Sequence, residues 1–222
     1  MIRTWKNAFH NRNVYIDFEY EDLKGEKTDP FLEIYNSNGV PLQFMVDSSD
    51  TFKRDIAKTW GFKKMRSCYS LEVTKDDLIS HENRTIKICE ANLEDEIYEN
   101  LSKIYFDYYR SSHEAINPVS ASFNEFKEIL PDKIYFNQDD GMSFAFIEKN
   151  EIEYVYSDNL ENAEDFFRTV AEKMFCDYDT IFFEADDVDE CAMRLKNIFS
   201  CGVKDVFETW IYDLGEANKA NF

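Results

Sequence analysis

One stretch constrains this 222-residue chain more than any other: Thr180 to Leu214, TIFFEADDVDECAMRLKNIFSCGVKDVFETWIYDL. Its apolar spacing predicts a strand, an acidic turn, an amphipathic helix, a glycine stop and a long strand. A fainter copy runs from Leu42 to Val73. Phe44 matches Phe183, Asp47 matches Asp186, Asp50 matches Asp189, Ile56 matches Leu195 and Trp60 matches Phe199. After a two-residue insertion, Gly61 matches Gly202, Lys63 matches Lys204, Tyr69 matches Trp210 and Val73 matches Leu214. We read the two as copies of one supersecondary unit, so the chain must bury two strand–helix–strand elements of the same kind.

The remaining segments fit around these copies. Residues 14–20 alternate and predict a strand. Asp29 and Pro30 open a short helix as cap and first residue, which Asn36–Gly39 ends. Leu42–Val46 and Met65–Val73 are strands about a helix that Asp50 begins. Lys75–Asn83 is polar and marks a boundary, giving units over 1–80 and 84–216. Beyond it, Thr85–Cys89 reads as a strand, and Ile97, Leu101, Ile104, Tyr105 and Tyr108 have helical period. Ser122 and Glu125 form a capping-box pair before a short helix that stops by Pro131. Lys133–Asn137 is a strand. Ser143–Ile147 and Ile152–Tyr156 make a hairpin about Lys149-Asn150. Ala163, Phe166, Phe167, Val170 and Met174 line one face of a helix capped by Asn162.

From residue 84 the order is therefore strand, two helices, three strands, helix, strand, helix, strand. That order, with Asp189-x-x-Ala192 and its glycine-then-strand ending, resembles the GNAT superfamily of acyl-CoA N-acyltransferases. Residues 14–73 resemble the second half of the same fold, with Ala57-Lys-Thr-Trp-Gly-Phe62 similar to the family's Tyr-x-Lys-x-Gly-Phe. The fold class expected is α+β: a GNAT-like mixed, largely antiparallel sheet flanked by helices, preceded by a partial GNAT-like half.

The resemblance implies an acetyl-CoA site. Pantetheine would lie along Glu151–Tyr156, contacting Ile152, Tyr154 and Val155, in a splay beside Ile181–Glu184. The diphosphate would sit on N–H groups near Asn159, Asn162 and Ala163 at a helix start. Glu153 or Asp158 would serve as the base that deprotonates a substrate amine. The alternative is a GNAT-derived binding or interaction protein that has lost catalysis. Two departures keep it open. The diphosphate signature Gln/Arg-x-x-Gly-x-Gly/Ala is replaced by Ser157-Asp-Asn-Leu-Glu-Asn-Ala-Glu-Asp165, without glycine or cation. Lys196 stands where the family carries a thiolate-protonating tyrosine.

Charge narrows the partners. Residues 1–80 carry 12 Lys and Arg against 13 Asp and Glu, and the remainder carries 13 against 32, for a net charge of −20. Such a surface repels phosphate backbones and attracts cations, so a small amine is the expected substrate and nucleic acid is not. The basic residues Lys53, Arg54, Lys58, Lys63, Lys64 and Arg66 are a candidate docking face, for the other half of the chain or for a second copy in a homodimer. The tyrosines near Tyr105 read as core or as an amine pocket. His10, His81 and His113 lack ligand spacing, and the run Glu184–Glu190 lacks a calcium-loop pattern, so no metal is expected. Five cysteines without a CxxC pattern, no apolar leader and no membrane-length run point to a cytoplasmic protein that does not engage a membrane.

Overall fold

The computed structural model describes residues 1–80 and 86–215. His81 and part of the expected 85–89 strand lie outside them. In chain order the elements are β1 (Arg3–Trp5), β2 (Val14–Asp17), α1 (Tyr20–Leu23), α2 (Pro30–Asn38), β3 (Leu42–Asp47), α3 (Thr51–Thr59) and β4 (Lys63–Thr74). There follow β5 (Cys89–Asn92), α4 (Glu96–His113), α5 (Phe123–Lys127), β6 (Lys133–Asn137), β7 (Ser143–Glu148) and β8 (Glu151–Ser157). The chain closes with α6 (Leu160–Met174), β9 (Thr180–Asp186), α7 (Glu190–Asn197) and β10 (Val203–Tyr212). Among the described residues no helix is long and apolar enough to cross a membrane.

The chain forms two compact units that interleave along the sequence. Unit 1 holds residues 1–67, 113–121 and 207–222, and unit 2 holds 68–112 and 122–206. In unit 1, β1 pairs antiparallel with β2, β2 parallel with β3, and β3 antiparallel with β10. In unit 2, β4 pairs antiparallel with β9, β9 parallel with β8, and β8, β7, β6 and β5 continue antiparallel. Each unit is thus a mixed, largely antiparallel sheet with one parallel pair.

The helix ends follow from local chemistry. Asp29 accepts the Phe31 N–H and Pro30 takes the first helical position of α2. Asp50 caps α3 through the Lys53 N–H, and Asp189 caps α7 through the Ala192 N–H, so the matched aspartates do the same work. Ser122 and Glu125 close the capping box of α5. Two expectations shift. The first strand stops at Asp17 because Glu19 and Asp22 form a capping box that turns residues 20–23 into α1. Helix α6 starts earlier than expected: Asn159, not Asn162, is its cap, accepting the Glu161 N–H.

Unit 1 packs its sheet on α2 and α3 through aromatic side chains. Phe18, Phe31, Phe44 and Phe62 meet edge to face, with ring centroids 4.9–5.3 Å apart. Two basic residues of this unit, Arg54 and Lys64, both engage the buried Glu208, at 3.0 and 3.4 Å. In unit 2 one face buries Phe166, Phe167, Val170 and Met174 of α6 with Ile181 and Phe183 of β9 and Leu195 of α7. The other face packs α4 on the β6–β8 strands, where Tyr105 lies 5.6 Å from Phe146 and 5.1 Å from Tyr154. Tyr98 and Tyr105 are therefore core residues.

Gly202 connects α7 to β10 with φ +108, and its carbonyl accepts the Glu72 N–H at 2.9 Å. A Cβ there would lie 2.5 Å from Val73 Cγ1 and 2.9 Å from the Glu72 carbonyl oxygen. Gly202→Ala is expected to lower unfolding stability by about 2–4 kcal/mol, from backbone strain plus overpacking. Urea unfolding reads this directly, and a loss within error of zero would show that the connection tolerates a side chain.

Candidate functional site

The site grows from the way β8 meets its two neighbours. Against β7 its register runs from Ser143↔Ser157 to Phe146↔Tyr154, then resumes at Ile147↔Ile152. Glu153 is the extra residue of a β-bulge. Against β9 only Glu151↔Phe182 and Ile152↔Phe183 pair, so the parallel strands part beyond their first residues. The expected splay beside Ile181–Glu184 is present in this pairing.

The far end of the splay is crossed by the chain's own groups. The Ser157 N–H donates to Cys191 Sγ at 3.3 Å, and that thiol donates back to the Ser157 carbonyl at 3.6 Å. Beside it, the Tyr108 hydroxyl donates to Asp189 Oδ1 at 2.6 Å, and the Cys191 N–H donates to the Tyr108 oxygen at 3.4 Å. Helix α4 is thereby tied to the start of α7. Burial lifts the Asp189 pKa above the ordinary carboxylate range, and Tyr108 and the Ala192 N–H pull back only part of that rise. Burial, then Asp189, raises the Tyr108 pKa.

The candidate residues separate into three groups. Ile152, Val155 and Ala163 are buried together in the unit 2 core. Glu153 and Tyr154 remain half-buried on the strand. Burial first, then Glu151, Glu148 and Glu184, raises the Glu153 pKa. Burial, then Glu153 and Glu184, pushes Tyr154 up to about 12. Asp158, Asn159 and Asn162 lie at the turn into α6. Asp158 is exposed and accepts the Met142 N–H at 2.8 Å, while Asn159 donates to the Asp140 carbonyl at 2.9 Å. Glu153 is half-buried beside other glutamates, and Asp158 is an exposed residue of the turn.

A coenzyme A diphosphate at the start of α6 does not fit these residues. The Asn159 side chain already accepts the Glu161 N–H, and the Asn159 carbonyl accepts the Asn162 N–H. The turn at Gly141 packs so tightly that a Cβ there would lie 2.5 Å from Asp158 Oδ1. Asp158, Glu161, Glu164 and Asp165 follow one another through this turn and the start of α6, and Arg194 is engaged by Glu164 at 3.0 Å. Among the described residues no cluster of three or more His, Cys, Asp or Glu is arranged to hold a metal.

Tyr108→Phe removes the phenol from a buried carboxylate and is expected to cost about 1–3 kcal/mol at neutral pH. The sign with pH follows from Asp189. Its folded pKa is raised, so its penalty grows as pH rises through that value, and losing Tyr108 raises the pKa further. The deficit should therefore shrink on acidification from neutral pH toward 4. Denaturant unfolding at several pH values checks this, and a pH-independent deficit would remove Asp189 as its cause.

No protein-family model and no curated protein matches this sequence. Solved structures do. The GCN5-related N-acetyltransferase of Sphaerobacter thermophilus is 10% identical at a TM-score of 0.51, over 95% of this chain and 75% of that one. A GCN5-related N-acetyltransferase of Kribbella flavida is also 10% identical at 0.51, over 96% of this chain and 86% of that one. One from Anabaena variabilis is 9% identical at 0.50, over 95% of this chain and 58% of that one, so this chain spans little more than half its length. Identities this low speak for the fold and not for the chemistry. They show that this chain has the fold of these GCN5-related N-acetyltransferases.

Proposed function

We propose that this chain is a GNAT-fold protein of acyltransferase ancestry that no longer transfers acyl groups from acetyl-CoA and works as a binding or interaction protein. The start of α6 carries this reading. The Glu161 and Asn162 N–H groups are used by Asn159, and four carboxylates lie along residues 158–165. Each unit charge on a phosphate there would meet repulsion on the order of 1–3 kcal/mol from a carboxylate at about 6 Å, before salt screening. The thiol of Cys191 supports the same reading, since it holds the Ser157 backbone that a ligand in the splay would have to reach.

One observation favours a second reading, an N-acyltransferase that moves an acetyl group from acetyl-CoA to a small cationic amine. Glu153 sits on the bulge with its pKa raised by burial and by neighbouring glutamates, which makes it a better proton acceptor than an exposed carboxylate. In that reading Glu153 takes the proton of the amine.

Thermal unfolding with millimolar acetyl-CoA separates the two. The binding-protein reading expects an unchanged midpoint. A ligand at about 100 times its dissociation constant stabilises by roughly 2.7 kcal/mol, and a shift of that size would overturn the reading. Should the shift appear, Glu153→Gln is expected to keep it and to slow amine acetylation; unimpaired acetylation would remove Glu153 as the base.

A further inference from the structure

Unit 1 contains a cleft that the GNAT site does not use. Along β10, Trp210 and Tyr212 enter the aromatic core, Ile211 turns to the opposite face, and Asp213 follows at this end of the strand. Together with Lys63 and Met65 of β4, Asn13, and the segment 114–118 after α4, it lines a cleft of about 440 Å³. The volume suits a small molecule.

The polar groups of the cleft are unevenly satisfied. Asn13 is 4% exposed and its Nδ2 donates to Gln43 Oε1 at 2.8 Å and to the Ile116 carbonyl at 3.0 Å. A carbonyl can only accept, so the orientation of the amide is fixed. Oδ1 accepts no hydrogen bond among the described residues, which leaves it as the acceptor this cleft-lining side chain can offer. A ligand donor in the cleft would give this oxygen a partner. Asp213 is exposed: its Oδ1 accepts both the Tyr35 hydroxyl and the Gly215 N–H at 3.0 Å, and its Oδ2 accepts nothing among the described residues. Lys63 is exposed and forms no ion pair among the described residues. Met65, Ile116 and Ile211 supply apolar wall.

We propose that this cleft binds a free α-amino acid with an aliphatic side chain. Its ammonium group donates to Asn13 Oδ1 and Asp213 Oδ2, its carboxylate pairs with Lys63, and its side chain lies on Met65, Ile116 and Ile211. A diamine matches the acceptors and opposes Lys63. An inorganic anion matches Lys63 and opposes Asp213 and Glu114. An α-amino acid satisfies both signs within one small molecule. The site is in unit 1 and stands or falls separately from acetyl-CoA binding in unit 2.

Calorimetric titration of the full chain tests the proposal with L-leucine, N-acetyl-L-leucine, L-leucinamide and putrescine. Saturable L-leucine binding is expected, with loss of binding for N-acetyl-L-leucine. Lys63→Met should weaken L-leucine by about tenfold and leave L-leucinamide unchanged, as loss of one charge-assisted contact predicts. Met65→Trp should fill the cleft and abolish binding, and unchanged thermal unfolding of Lys63→Met keeps the test valid if Met65→Trp does not fold. No L-leucine binding at millimolar concentration, equal binding of N-acetyl-L-leucine, tighter binding of putrescine, or indifference to Lys63→Met would each overturn the proposal.

Discussion

The parallel pairing of β8 with β9 is the constraint on which the functional reading depends. Two residue pairs hold the strands together, and beyond Ile152 and Phe183 the ladder ends. Backbone groups freed in this way must find other partners or water. Here the Ser157 backbone finds the Cys191 thiol at 3.3 and 3.6 Å, and the Tyr108–Asp189 bond links the helices nearby. The strands part as the ladder ends, and the Ser157 backbone beyond it is engaged with the chain itself.

Unit 1 solves the same problem with different chemistry. Its parallel strands β2 and β3 also pair at two positions only, Val14↔Leu42 and Tyr15↔Gln43. Lys53, in the first turn of α3, then pairs with Asp17 at the end of β2, at 2.9 Å. Burial raises the Asp17 pKa, but Lys53 and Arg3 outweigh it and hold the carboxylate below its ordinary range. A charged pair takes the position that a thiol and a backbone amide take in unit 2. In each unit the bridge comes from the first turn of the helix that follows the second parallel strand, Lys53 after the cap Asp50 and Cys191 after the cap Asp189.

Much of the fold is legible in the residues, because helix caps and apolar periods are local. Asp29, Asp50, Ser122 and Asp189 cap as their spacing predicts. The displaced cap at Asn159 shows the limit: two asparagines three residues apart both suit the role, and the Ser157–Asn159 bonds that decide between them are visible only once the turn is built. The bulge leaves a trace that periodicity alone overlooks. Ile152 and Val155 are both buried although they are three residues apart, and strict alternation cannot put both on one face. The Tyr108–Asp189 and Ser157–Cys191 contacts have separations of 81 and 34 residues, so no local pattern could announce them. The absence of glycine and cation from 157–165 is legible, and the geometry adds that the Glu161 and Asn162 N–H groups already have partners.

The central claim is that the chain fills its own splay. Amide hydrogen exchange at Ser157 tests it most directly, because that N–H is the group a ligand in the splay would claim. The account predicts a protected Ser157 amide in the free protein, faster exchange in Cys191→Ala, and no change with millimolar coenzyme A. Rapid exchange in the free protein that slows when coenzyme A is added would contradict it.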